Sequence, residues 1–276
     1  MRMIIIVGIL FTIMSCKNEG VKKDPEKSEI GQNKPVDTLE MKKEILDSKK
    51  FDNGIIISWL EHGSGELLKP GDVVMIDYKV RLKDSTVIDG NHLLNMHEMP
   101  FILGYNLQTA GWEYALKQLK VGDFAKIKIP SNLARGEKGI EGLVPPNADN
   151  YLAIRILKKQ KPSRIADGNK VWIFEENKKE KVKFNENTQI IFHAMASSPS
   201  SPLYFNSYRQ NNPFELRLED NGVVPGLKKA LINAKKGDRM FVLVKSEDAY
   251  GTKGYLDIVK PNEDLFFNIL VMDVLD

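Results

Sequence analysis

The chain runs through one order of elements twice, and that repeat limits what it can fold into more than any other feature. Ala110-Gly-Trp-Glu-Tyr-Ala-Leu116 returns as Pro225-Gly-Leu-Lys-Lys-Ala-Leu231, Val121-Gly-Asp123 as Lys236-Gly-Asp238, and Asn150–Ile156 as Leu265–Val271, each 115 residues later. Upstream of these, Gly168–Phe174 restates Gly54–Leu60, Thr188–Ala194 restates Val73–Lys79, and Pro213–Leu218 restates Met99–Leu103. Each copy carries a complete core pattern of its own, which distinguishes a duplication from a solenoid. With 276 residues there is room for about two ordinary domains. The predicted division is residues 51–160 and 165–276, with the join in the Lys159–Asn169 stretch.

Within the first copy, apolar runs alternate with turns. Val74, Ile76 and Tyr78 share one face of a strand, and Leu152, Ile154 and Ile156 share one face of another, opposed by Ala153, Arg155 and Leu157. Pro70-Gly71-Asp72 and Lys83-Asp84-Ser85 mark turns. From about Leu107 the period changes: Leu107, Trp112, Ala115, Leu116 and Leu119 recur at helical spacing until Gly122 ends the segment. The expected fold is α+β, a half-buried antiparallel sheet of about five strands covered by one short helix in each domain. Trp112 fits two roles, main core residue or floor of a ligand pocket. The second copy weighs for the pocket, because it keeps the framework while placing Leu227 where the tryptophan stands.

The amino terminus is read separately. Met1-Arg2 is followed by an apolar run to Met14 and then Ser15-Cys16, too short for an ordinary spanning helix. Ile13-Met14-Ser15-Cys16 has the form of a bacterial lipoprotein cleavage box. Residues 1–15 are then a signal peptide, and Cys16 is the lipidated residue that anchors the chain to a membrane. Cys16 is the one cysteine, so no disulfide can form within the chain. Residues 16–50, rich in Lys, Glu and Pro, read as a flexible tether, with a turn or two of surface helix in 38–50 and Leu39, Ile45 and Leu46 as weak anchors. The expected location is the bacterial cell envelope, lipid-anchored and periplasm-facing, with Lys17 in place of an acidic residue leaning toward the outer membrane.

Composition removes several classes of function. A net charge of +3 with 28% charged residues of both signs gives no basic arm or basic-aromatic groove, so nucleic acid is not an expected partner. Four histidines, His62, His92, His97 and His193, are too scattered for a metal constellation, and the expected metal count is none. No phosphate-binding loop, dinucleotide fingerprint or nucleophile elbow occurs, and no cofactor is expected. An enzyme of this sequence would work without covalent or acid–base machinery.

The series Val73–Tyr78, Ile88-Asp89, Phe101–Gly104, Gly111-Trp112-Glu113, Val121-Gly122-Asp123 and Pro145-Pro146-Asn147-Ala148 resembles the FKBP-type peptidyl-prolyl cis/trans isomerases. The likeness covers about residues 54–159 and, more weakly, 168–275. It implies two tandem domains of that kind, each a twisted antiparallel sheet wrapped around a short helix. Carried over by residue, it implies a catalytic set of Tyr78, Asp89 and Trp112. The implied substrate-binding wall is Ile88, Met99, Phe101, Gln108, Thr109, Arg135, Val144 and Leu152. Asp89 also suits a turn before Gly90. Met99 and Leu152 stand where the family has aromatic rings, Gln108-Thr109 replaces an apolar pair, and Arg135 replaces a tyrosine, free either to donate to a substrate carbonyl or to point into solvent.

The second copy keeps a groove of Phe205, Phe214, Val223, Val224, Leu227, Tyr250, Val259 and Phe267. Asn206 is read in place of the aspartate, and His193 or Ala194 in place of the strand tyrosine. The resemblance therefore implies an isomerase acting on proline-containing unfolded or extended polypeptides, with the first domain the more active and the second a weak isomerase or a binding module. The rival expectation is a non-catalytic chaperone or assembly factor using both domains to dock proteins.

Overall fold

A computed structural model describes residue 39 and residues 43–275, apart from 177–183, 186, 203 and 221. Cys16, the signal segment 1–15 and most of the expected tether lie outside the described residues. Among the described residues no helix is long and apolar enough to cross a membrane.

The first sheet contains β1 (Asp47–Lys50), β2 (Ile56–Glu61), β3 (Val73–Arg81), β4 (Val87–Gly90), β5 (Met99–Ile102), β6 (Phe124–Ile129) and β7 (Asn150–Lys159). In space they run β1-β2-β6-β7-β3, all antiparallel, and β3 then carries both β4 and β5, the former on its end at Lys79–Arg81 and the latter on its start at Val73–Ile76. The second sheet is built the same way from β8 (Arg164–Ala166), β9 (Asn169–Glu175), β10 (Gln189–Ser197), β11 (Phe205–Asn206), β12 (Phe214–Arg217), β13 (Arg239–Val244) and β14 (Leu265–Leu275). Its order, β8-β9-β13-β14-β10 with β11 and β12 on β10, repeats the first strand for strand. The duplication seen in sequence is thus a duplicated α+β fold.

Among the described residues each sheet has seven strands rather than about five, because short strands escape a periodicity test. β1 is the clearest case: Asp-Ser-Lys-Lys is exposed at every position and pairs with Ile56–Trp59 through its backbone, joined by the Ser48 hydroxyl at Ser58 Oγ (2.9 Å). An edge strand needs no apolar face. Residues 47–50, read as the end of a tether, therefore belong to the first sheet, and Leu39 is buried against Leu60 and Phe124 while Ile45 and Leu46 are exposed.

One helix covers each sheet, α1 (Ala110–Leu116) and α2 (Pro225–Leu231). α1 begins at Ala110 and not at Leu107, since Thr109 is still extended at its N-cap (φ −69°, ψ 161°). Gly111 allows the helix to approach the sheet: a Cβ there would lie 2.2 Å from Ile129 Cγ2 and 2.9 Å from the Leu133 carbonyl. Trp112, Ala115 and Leu116 are buried against Ile76, Ile127 and Ile154 in one apolar cluster. The Gly-Asp step after the helix is a backbone clamp. Buried Asp123 accepts from Lys120 N (2.9 Å), Gly63 N (2.7 Å) and Trp59 Nε1 (3.1 Å), and Asp238 accepts from Lys235 N (2.9 Å) in the second domain.

The two domains share apolar surface. Trp172, Phe241, Leu243 and Phe266, on the outer face of the second sheet, are continuous with the first domain's cluster, and Tyr105 meets Phe266 at a ring separation of 6.0 Å. β13 reads Arg-Met-Phe-Val-Leu-Val, with every residue after Arg239 buried, the run expected of a strand covered on both faces.

Candidate functional site

In the first domain, β3, β4, β5 and α1 bring Tyr78, Asp89, Met99, Phe101 and Trp112 together. Trp112 is 2% exposed. Tyr78 meets the indole edge-on (5.2 Å, 83°) and Phe101 stacks on it (5.9 Å, 29°). The Tyr78 hydroxyl donates to Asp89 Oδ1 at 3.1 Å and lies 3.8 Å from Met99 Sδ. Asn91 fixes the strand at this point, its side-chain oxygen accepting from Tyr78 N at 2.8 Å. Leu152 is buried in the same cluster, and half-buried Ile88 packs against it.

Electrostatically the site centres on Asp89. Burial pushes its carboxyl above the ordinary range, against the Gly90 N–H, the Tyr78 hydroxyl and the positive charges of Arg135 and His92. Burial pushes half-buried Arg135 down, and the Asp89 charge pulls it back. Burial, with the Asp89 charge, drives the Tyr78 hydroxyl far up, which leaves it a proton donor at any physiological pH. Thr109 precedes α1 with its Oγ1 buried and without a hydrogen-bond partner among the described residues, and Gln108 is half-buried beside it. Val144 is buried in the loop that ends β-bridged to Ile140, outside the cluster around Trp112.

In the second domain the corresponding place is a cavity of about 180 Å³. Phe205, Phe214, Val223, Val224, Leu227, Tyr250 and Phe267 are among the residues that line it. An apolar cavity of ~150 Å³ admits benzene, so this one has room for a proline ring. Two expected members are elsewhere. Val259 is core, 1% exposed and bridged to Tyr255, and Asn206 turns away to accept from Tyr208 N at 3.0 Å.

Strand register corrects the assignment of Asn206 to the aspartate position. Val80 pairs with Leu152 and Asp89, and its counterpart Ala196 pairs with Phe267 and Phe205. Phe205 thus occupies the aspartate position and Asn206 that of Gly90. The same register settles the tyrosine position. Ala194 pairs with Ile269 as Tyr78 does with Ile154, and its N–H donates to Ser207 Oγ (2.9 Å) as Tyr78 N does to Asn91. His193 faces the other way, hydrogen-bonded to Ser207 and stacked on Tyr208. Ala194 follows Tyr78, and Phe205 follows Asp89, by 116 residues, one more than the 115 that separate the helices and the closing strands, so a gapless reading of the sequence misplaces both.

Sequence reasoning overlooked Phe192, Ala196, Leu216 and Tyr204, all lining the cavity. Phe192 and Ala196 stand with Ala194 at alternate positions of β10, a period-two signal that was available. Among the described residues no three His, Cys, Asp or Glu side chains gather to hold a metal ion.

Comparisons with known proteins match both of the duplicated sheets. Human peptidyl-prolyl cis-trans isomerase FKBP10 is 21% identical over 217 residues, 74% of this chain and 34% of the relative. The FKBP-type peptidyl-prolyl cis-trans isomerase FkpA of Escherichia coli K12 is 33% identical over 121 residues (43% of this chain, 42% of the relative), and that of Buchnera aphidicola 30% over 138 residues (49% and 53%). The chain therefore spans from about a third to about half the length of these relatives. Among solved structures, the three FKBP domains of wheat FKBP73 match at 23% identity with a TM-score of 0.40, covering 81% of this chain and 96% of that one. Escherichia coli FkpA matches at 30% with a TM-score of 0.38, covering 41% and 51%. The profile of the FKBP-type peptidyl-prolyl cis-trans isomerases fits residues 65–157 and again 178–272. With both copies matched, the chain belongs to the FKBP-type peptidyl-prolyl cis-trans isomerase family.

Proposed function

We propose that this chain isomerises X-Pro bonds in extended or unfolded exported polypeptides, with catalysis in the first domain and apolar segment binding in the second. The observation that carries this reading is the Tyr78–Asp89 hydrogen bond set against the rings of Trp112 and Phe101. Amide resonance makes the barrier to rotation about 18–20 kcal/mol, and free X-Pro bonds cross it in tens to hundreds of seconds. The twisted amide has lost that resonance: its nitrogen is pyramidal and its carbonyl behaves as a ketone. An apolar wall that receives the proline ring, with donors at the carbonyl, favours the twisted state over both planar ones. Arg135 and the backbone before α1 are suited to the donor role, and Trp112 to the floor. No side chain exchanges a proton, which suits a tyrosine held protonated.

The second site lacks the indole, the carboxylate and the strand tyrosine, yet has an open apolar cavity, which favours holding a segment over rotating it. Lipidation at Cys16 would place both sites beside a membrane, in the envelope, at the end of a tether. The test is a proline-isomerisation assay on the purified chain beside Trp112→Ala and Asp89→Ala. The reading expects a rate above background that either substitution lowers at least tenfold. Background activity in the unsubstituted chain would leave the docking chaperone as the function, and activity indifferent to both substitutions would move the site elsewhere.

A further inference from the structure

The segment that leads from β5 into α1 of the first domain, residues 103–109, is held from two sides. On the inner side is Glu113, the neighbour of Trp112 on the helix. Its buried carboxylate accepts from Gly104 N at 2.7 Å and from Asn106 N at 3.1 Å, so helix and lead-in loop are fastened together. On the outer side is the second domain. Asn106 Nδ2 donates to the carbonyls of Ser198 and Pro199, both at 3.0 Å, and Ser197 Oγ donates to the Tyr105 carbonyl at 2.6 Å. The Tyr105 ring lies on Phe266, and burial there, with the charges of Asp264 and Glu263 nearby, raises its hydroxyl pKa.

The second-domain partners are themselves braced. Glu263 accepts from Ser198 Oγ (2.8 Å) and Ser200 Oγ (2.7 Å), which shapes the Ser197–Pro202 loop to present its carbonyls. Trp172 Nε1 donates to the Gln160 carbonyl at 2.9 Å and secures the join between the domains. Asn106 stands at φ 54°, a left-handed conformation that asparagine tolerates better than most residues. One residue thus bonds through its backbone to the helix that carries Trp112 and through its side chain to the other domain.

We propose that Asn106 is a positioning residue, through which the second domain holds the lead-in loop and helix of the first domain's prolyl site in place. The inference rests on the reading of that site under Proposed function. It gives the second domain a role that does not depend on its own catalysis: support of the first site by direct hydrogen bonds.

The test uses the full chain with Asn106→Gly, which keeps the left-handed backbone without strain, and Ser197→Ala, which removes only a hydroxyl. Two quantities are measured: the indole N–H crosspeaks of Trp59, Trp112 and Trp172 in a proton–nitrogen correlation spectrum, and KM and kcat on a prolyl peptide. The expected result in Asn106→Gly is a displaced or broadened Trp112 crosspeak with that of Trp59 unmoved. KM should rise about fivefold or more, the size of losing one or two neutral hydrogen bonds, with kcat changed less. Ser197→Ala should move the same crosspeak by a smaller amount. A Trp112 crosspeak unmoved in both folded variants overturns the proposal, even where the Trp172 crosspeak shows that the interface has loosened. A chain that turns over no peptide refutes the isomerase reading, while the crosspeaks still decide whether Asn106 positions the helix.

Discussion

Tyr78→Phe removes one oxygen from the first site and keeps the ring whose edge rests on Trp112. What is lost is the hydroxyl's bond to Asp89 Oδ1 at 3.1 Å and its approach to Met99 Sδ at 3.8 Å. A hydrogen bond to a charged group contributes about 1.5–3 kcal/mol. Asp89 retains the Gly90 N–H at 2.8 Å, which places the expected loss near the lower end, about 1.5–2 kcal/mol. If the two domains unfold together, Tm falls by about 3–8 °C. The loss depends on pH with a definite sign. Burial raises the folded pKa of Asp89, so this group favours the folded state below its unfolded pKa, and that contribution disappears as pH rises through the folded value. The Tyr78 hydroxyl opposes the shift by stabilising the ionised form, so its removal costs most where Asp89 is ionised and least where it is protonated. Denaturant unfolding followed by tryptophan fluorescence, at several values between about pH 3 and about pH 8, measures the difference between the two proteins. It should widen as pH rises through the folded pKa of Asp89. A constant difference across the range would show that the sulfur contact or packing, and not the carboxylate, carries the energy of the hydroxyl.

Glu61 gives the opposite sign. Hydrogen bonds from Arg155 (2.7 and 2.9 Å) and Lys43 bring its carboxyl down to about 2 from 4.5. Its stabilisation is present above 4.5 and lost as pH falls toward about 2, so Glu61→Gln should flatten the acid limb of the stability profile, read by unfolding at each pH. Gly111→Ala would set a Cβ 2.2 Å from Ile129 Cγ2, and Gly226→Ala one 2.3 Å from Val244 Cγ1. Each should cost about 1–3 kcal/mol in thermal unfolding through overpacking; an unchanged Tm in either would mean that helix and sheet part without cost.

Much of the fold was legible because it is repeated. A helix seven residues long is weak as a single signal, but the same glycine, apolar triad and Gly-Asp clamp 115 residues apart separate framework from variation. Of the cluster of Tyr78, Asp89, Met99, Phe101 and Trp112, alternation along β3 and spacing along α1 face Tyr78 and Trp112 inward, and the family resemblance implied the rest. β1 was not legible, since every residue of this edge strand is exposed and it leaves no apolar alternation to read. The placement of Phe205 and Ala194 was not, because β10 and β11 follow their counterparts by 116 residues where the helices and closing strands follow by 115, and a slip of one residue along a strand reassigns every position.

By itself, then, the amino-acid sequence determined two α+β domains and the indole-bearing helix of the first. These are local matters: periodicity, turn residues and the identity of a side chain at a given face. Only the tertiary structure decided that Ala194 stands at the position of Tyr78, that the second site is an open cavity lined also by Phe192 and Ala196, and that the two domains share a core. The contacts responsible, such as Asn106 to Ser198 and Tyr105 to Phe266, join residues far apart in the chain. No local preference encodes such a contact; it forms only when two finished surfaces meet and bury apolar area that each alone would leave in water.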